Sequence, residues 1–355
     1  MSDPPSSDRV RRSFLRQAEA CARLGSPFTA RLCRLAAERL DAGAAPVDAM
    51  LLGWSGDPTA GGDAVALRFA GALHALVLAG DAALSAAWPP HHDATDDGRL
   101  WQAVRTAIRR HEAALLSTLE SPPQTNEVRR SSALAAGLLV LARQVPLPVV
   151  LSEVGASAGL NLLVDRYRHV LGDLVAGDPA SPLDLAPEWR GPPAPAVVLR
   201  IAGRAGCDLR PADSNDPGDR RRLLSYVWPD QADRLARTRT ALSIAAAEGV
   251  AVERADAVDW LADRLAVPMP GRVHVVAHTI AWQYLPTDRQ SAGDRIIADA
   301  GARATSDAPL ARLAMEHDGD PDGAALTLDL WPGGNRLALG RVDFHTRWID
   351  WAGVG

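Results

Sequence analysis

The chain has 355 residues, enough for two domains, and its 47% hydrophobic content is ordinary for a protein with a large core. Its net charge of −5 argues against nucleic acid as a partner, and no run approaches the roughly 20 apolar residues of a membrane helix. All 38 basic residues are arginine, which excludes a Schiff-base lysine, a P-loop lysine and a Ser-Lys dyad.

Residues 10–145 read as helices without a convincing strand. Phe14, Ala18, Cys21 and Ala22 form one helical stripe, closed at Gly25. Residues 67–78 read as a buried helix around His74, and 101–119 as another. Turn-rich loops lie at 53–63 and 88–98. The segment Gln124-Thr-Asn-Glu127 then leads into a helix over 128–144. No apolar stretch behind a basic start marks a signal peptide, so a cytoplasmic location is expected. Cys21, Cys33 and Cys207 form neither a disulfide framework nor a CxxC knuckle. His91-His92 lacks a third ligand at a useful spacing, so no metal is expected.

The texture changes at Pro146. Residues 149–154 read as a short apolar strand, followed by glycine and a helical run over 160–170. Residues 173–195, rich in proline and aspartate, read as an insertion before a second strand at 196–202. A helix over 229–248, strands at 250–256 and 272–278, and a helix over 288–301 continue the alternation. Residues 325–330 and 336–342, joined by Trp331-Pro-Gly-Gly-Asn, suit an antiparallel hairpin. The expected fold is therefore α/β: a Rossmann-like, doubly wound, mainly parallel sheet over 146–355 with a C-terminal antiparallel hairpin, preceded by an all-helical domain over 1–145.

The strongest motif is Glu153-Val-Gly155-Ala-Ser157-Ala-Gly159, between a strand and a helix. Small residues there let the backbone approach a cofactor, and a helix N-terminus adds directed N–H groups. The same residues spell Gly-x-Ser-x-Gly, the nucleophile elbow of α/β-hydrolases, with Asp256 or Glu316 and then His345 as the partners that would follow. A glycine-tight turn with no ligand is the plain structural reading. Downstream, Asp208 and Asp213 are the candidates for a ribose, although they lie later than the usual 20 or so residues beyond such a loop. Asp256 ends the third predicted strand, where it could face an adenine. Each of these acids could equally be a helix cap or a solvated loop residue.

His278-Thr-Ile-Ala-Trp-Gln-Tyr284 ends the fourth predicted strand, and His278 and Tyr284 are candidates for the chemistry, His278 as a base. Glu127, beside Asn126, is the third candidate, as part of a lid over the cofactor; the alternative is a helix start capped by Thr125. Arg220-Arg-Arg222 reads as a solvated face.

A seven-strand doubly wound sheet ending in an antiparallel hairpin resembles the class I methyltransferases, and the loop resembles their acid-x-Gly-x-Gly-x-Gly pattern with Ser157 at the middle glycine. That resemblance implies S-adenosylmethionine as cofactor, contacted by Glu153, Gly155, Ser157, Gly159, Asp208 and Asp256, and methyl transfer to a small molecule. The stretches QTNEVRRS, EVGASAGLNLL, GCDLRPADSNDP, YVWPDQADR and HTIAWQYLP, with the terminal LWPGGNRLALGRVDFHTRWIDW, resemble an uncharacterised bacterial family, domain of unknown function 2332, which carries no established activity. A serine hydrolase and a non-catalytic ligand-binding protein are the alternatives.

Overall fold

The computed structural model describes residues 6–124 and 126–353. The described elements before residue 125 with assigned α-helix are α1 (Ser6–Arg23), α2 (Pro27–Arg39), α3 (Pro46–Leu52), α4 (Val65–Leu78), α5 (Ala82–Ser85), α6 (Asp97–Arg110) and α7 (Glu112–Glu120). Next come α8 (Arg130–Gln144) and β1 (Val149–Val154), then a 3-10 turn, Leu160–Arg166. Four short strands follow: β2 (Arg168–Leu171), β3 (Leu174–Gly177), β4 (Asp184–Leu185) and β5 (Glu188–Arg190). β6 (Ile201–Asp208), α9 (Pro217–Ser225), α10 (Ala232–Ala247), β7 (Glu253–Arg254) and α11 (Ala257–Arg264) continue the chain. It closes with β8 (Val273–Thr279), α12 (Thr287–Arg303), β9 (Leu310–Glu316), β10 (Ala324–Trp331), β11 (Asn335–Val342) and β12 (Trp348–Trp351).

The chain forms two compact units, Met1–Thr125 with Pro217–Arg239, and Asn126–Asp216 with Thr240–Gly355. The division falls at 125/126 rather than at 145/146, and α8 goes with the sheet. Its burial explains why: every residue from Arg130 to Leu141 is buried, and Ala133, Leu134, Leu138 and Leu141 share one core with Leu151, Val275 and Leu313. Gly137 lets α8 approach β9, since a methyl group there would overlap the Leu313 side chain.

In the first unit, Phe14, Phe28, Phe69, Leu73 and Trp88 are buried in a single core. His74 is a core residue, 3.2 Å from the Ser225 carbonyl through Nδ1, and burial lowers its pKa to about 4. The single helix expected over 101–119 is two. His111 leaves the helical region at φ −122°, and its Nε2 lies 2.8 Å from the Asp81 carboxylate.

The second unit is mixed α/β, built on a mostly parallel nine-strand sheet in the order β5-β12-β11-β10-β9-β8-β1-β6-β7. β7, β6, β1, β8 and β9 are mutually parallel neighbours; β10 and β11 then run antiparallel. β1 and β8 are buried along their whole length, as parallel strands covered on both faces must be. Among the described residues no strand precedes Val149.

Three expectations shift. The second parallel strand is Ile201–Asp208, not 196–202: it pairs with β1 from Val149 onward, and Gly206 lets it pass close to the glycine loop. At Gly206 a methyl group would meet the Ala156 Cβ at 2.6 Å. The strand expected over 250–256 shrinks to Glu253–Arg254, a short charged strand at the sheet edge. The helix expected over 160–170 is a seven-residue 3-10 turn. From Tyr167 to Leu171 burial alternates, which commits the chain to β2, and Gly172 (φ +65°) turns it into β3. β2, β3 and β4 make a separate small sheet, so the proline-rich insertion supplies β3 and β4 to it and β5 to the edge of the large sheet.

Candidate functional site

The strand order reverses between β1 and β8, and ligands of open α/β sheets bind at the carboxyl ends of the strands beside such a reversal. Two loops leave the sheet there: 155–159 after β1 and 280–284 after β8. They meet closely, since a methyl group on Gly155 would stand 2.7 Å from the Ala281 Cβ.

The first loop is held in unusual backbone geometry. Gly155, Ser157 and Gly159 have φ of +70°, +55° and +69°. The glycines adopt this freely; for Ser157 the cost is about 1–2 kcal/mol. Asp208 offsets that cost: its Oδ2 accepts from the Ser157 N–H at 3.0 Å and its Oδ1 from the Arg210 N–H at 2.8 Å. The Ser157 carbonyl accepts from the Ala212 N–H at 3.1 Å, and the Gly155 and Ala156 N–H groups both donate to the Cys207 carbonyl at 3.0 Å. These N–H groups are therefore spent on the protein. With no α-helix behind the loop, it is a poor cradle for phosphate.

Glu153 sits under this loop, 2% exposed. Burial pushes its carboxyl up to about 8; the Asn161 amide draws it down, Asp208 adds to the rise, and Arg130 opposes it. Its Oε2, the Ser157 Oγ and the Asn161 Oδ1 are all buried with no hydrogen-bond partner among the described residues. Leaving such atoms unmet costs roughly 1–3 kcal/mol each.

The second loop is tied down. His278 Nδ1 lies 2.7 Å from Glu316 Oε1, which also accepts from the Ala281 and Trp282 N–H groups at 2.9 and 3.0 Å. Arg312 donates through Nε to His278 Nε2 at 2.9 Å and through Nη1 to Asp294 at 2.8 Å. A guanidinium can only donate, so Nε2 carries the lone pair, Nδ1 carries the proton, and the ring is neutral. Burial lowers the His278 pKa, partly opposed by Glu316. Trp282 stacks on the ring at 4.9 Å, with the Arg312 guanidinium over the indole at 4.5 Å. Both ring nitrogens being engaged, His278 positions Glu316 and Arg312 in this arrangement and has no lone pair free to act as a base.

The other expected residues divide. Glu127 is 2% exposed and falls in the sheet unit with Glu153 and His278; its Oε1 accepts from the Arg129 N–H at 3.2 Å. Beside it, Arg130 donates to the Phe344 and Thr279 carbonyls at 2.9 and 3.1 Å, fixing the start of α8 to the end of β8. Tyr284 is 67% exposed. Asp256 caps α11, accepting from the Val258 and Asp259 N–H groups, and pairs with Arg289. Gly159 is not held open for a ligand: a methyl group there would meet Val250 at 2.5 Å. Thr125, the expected helix cap, lies outside the described residues. Of the hydrolase partners, Glu316 is bonded to His278 and Asp256 is the cap of α11, and the Ser157 Oγ has no hydrogen-bond partner among the described residues. A cavity of about 410 Å³, lined by Leu139, Val164, Asp165, Val175 and Val198 among others, includes none of the expected site residues. Among the described residues no three His, Cys, Asp or Glu side chains gather as a metal would require.

A family described as "Uncharacterized protein conserved in bacteria (DUF2332)" matches residues 11–351. The chain belongs to this family. The DUF2332 match takes in every site residue named above. No curated protein and no solved structure matches the chain. Among the described residues no helix is long and apolar enough to cross a membrane.

Proposed function

We propose that this DUF2332 protein binds S-adenosylmethionine at the carboxyl ends of β1 and β8 and transfers its methyl group to a small molecule. The observation that carries the reading is the strand order. Numbered along the chain, the five parallel strands lie in the order third, second, first, fourth, fifth, as in Rossmann-like nucleotide-binding sheets, with the glycine loop at the reversal. The unmet Glu153, Ser157 and Asn161 atoms fit an amino-acid end with its ammonium and carboxylate groups. The spent N–H groups of the loop fit a nucleoside without phosphates better than a dinucleotide.

When bound, S-adenosylmethionine supplies a methyl group activated on a sulfonium. Glu153 would give up its proton and accept from the cofactor's ammonium, while the Ser157 hydroxyl and Asn161 amide orient the same end. Asp208, at the end of the second strand, holds the loop and keeps lone pairs for a ribose hydroxyl. Methyl transfer is largely a matter of alignment, so a site without a catalytic triad suits it.

The second reading is a serine hydrolase. The strained φ of Ser157 in a Gly-x-Ser-x-Gly turn favours it; the absence of any imidazole bonded to the Ser157 Oγ among the described residues does not. Thermal melting with S-adenosylhomocysteine, beside labelling with a fluorophosphonate, separates the two. A ligand-dependent rise in Tm with no labelling is expected; labelling of Ser157 with no rise in Tm supports the hydrolase.

A further inference from the structure

Glu316 has no part in the cofactor reading, and its two oxygens have different surroundings. Oε1 receives three donors, from His278, Ala281 and Trp282. Oε2 is buried and has no partner among the described residues, although the side chain as a whole keeps 16% of its surface accessible. Burial pushes the carboxyl up, but His278 and the two backbone N–H groups outweigh it and hold the group below the ordinary carboxylate range, hence ionised. The nearby cation does not neutralise it, because Arg312 is turned to His278 Nε2 and Asp294. An ionised oxygen taken out of water and left unmet is costly, and the partner that repays most is a cationic N–H donor. Glu153, near the end of β1, is level with Ala277 of β8 and Leu313 of β9, so Glu316 stands two strands across and three residues further along, on the opposite face of the sheet, with roughly 14 Å between the two backbones. That separation leaves room for two different ligand groups.

We propose that Glu316 Oε2 is the recognition point for the amine nitrogen of the second ligand, so that the small molecule taken at this site is an amine. The inference rests on the placement of the ligand site at the carboxyl ends of β1 and β8, and it assigns His278 and Arg312 the task of aiming Glu316. An alcohol would satisfy the oxygen without meeting its charge, and a carboxylate would be repelled.

The test is thermal melting and calorimetry of the full chain with three probes of one length: hexylamine, 1-hexanol and hexanoate. Hexylamine should bind saturably, and the alcohol and acid should not. Glu316→Gln, which keeps the size and removes the charge, should weaken hexylamine about tenfold or more while changing S-adenosylhomocysteine binding less than about twofold. If Glu316→Gln does not fold, Glu316→Asp, which keeps the charge but withdraws it, should show the same selective loss. Equal binding of amine and alcohol, no amine binding, or amine binding indifferent to both variants overturns the proposal. S-adenosylhomocysteine is titrated separately: amine binding without it sinks the methyltransferase reading alone, and its binding without amine selectivity sinks the amine assignment alone.

Discussion

The two loops at the strand reversal are built on opposite plans. After β8, polar groups close on one another: Asp294, Arg312, His278 and Glu316 form a chain in which only the last oxygen is unmet. After β1, the N–H groups of Gly155, Ala156 and Ser157 are engaged by Cys207 and Asp208, yet three side-chain atoms, on Glu153, Ser157 and Asn161, are buried with no partner among the described residues. The contrast shows why residue type alone misleads about a site. Histidine is the residue chemistry would choose at this edge, but here it is the satisfied one. The glutamates, which a sequence reading treats as contacts or caps, hold the unspent capacity. Stability is concentrated at the β8 exit, and an unpaid cost at the β1 exit.

Four changes would sharpen or break that contrast. His278→Ala strands Arg312 and Glu316 in a buried place and should cost about 3–5 kcal/mol in urea unfolding. A loss below about 1 kcal/mol would show that the chain of contacts does not hold the β8 exit. Gly159→Val should cost about 3 kcal/mol or more, because it forces a branched residue to φ +69° against Val250. A variant that folds normally and loses only ligand affinity would mean the glycine faces a ligand after all.

Acid should act next. His74, His169 and His274 are held at about 4 by burial, below the usual 6.5, so the folded state binds fewer protons than the unfolded state between those values. Stability should therefore fall as pH drops from 6.5 toward 4, by at most about 1.4 kcal/mol per pH unit for each histidine. A flat urea midpoint across that range would contradict their burial. The last effect is a gain. Glu153 binds its proton more tightly folded than unfolded, so its contribution is intact below 4.5 and is lost as pH rises toward 8. Glu153→Gln should stabilise the protein by up to about 4 kcal/mol at pH 8 and by nearly nothing at pH 4, measured by urea midpoints. A destabilised variant at pH 8 would mean that Glu153 is already paired.

Much of the sheet was legible. The runs 149–154 and 272–278 are apolar enough to name β1 and β8 within a residue, and the Trp331-Pro-Gly-Gly-Asn turn names the β10–β11 hairpin. β6 is displaced because Gly203 and Gly206 weaken a strand signal, and the role of Gly206, passing close beneath the loop, is a tertiary fact. The expected helix over 160–170 runs into β2 because Leu160, Leu163 and Val164 mimic helical spacing before the alternation at Tyr167 begins. That residues 217–239 belong with the first unit has no local signature at all. In the site, the loop and Glu153 were visible, whereas the neutrality of His278 depends on Arg312, far away in sequence. Glu316 is in view only as a partner for Ser157, and the mostly apolar strand 310–316 that carries it gives no hint of its neighbours.

The most direct measurement is calorimetry of S-adenosylhomocysteine binding at pH 7 in two buffers of different ionisation enthalpy. Glu153, held protonated up to about 8, must ionise to receive the ligand's ammonium. The account predicts saturable binding with release of about one proton, and loss of both the proton and most of the affinity in Glu153→Gln. No binding, or binding with no proton released and the same affinity in Glu153→Gln, would contradict it.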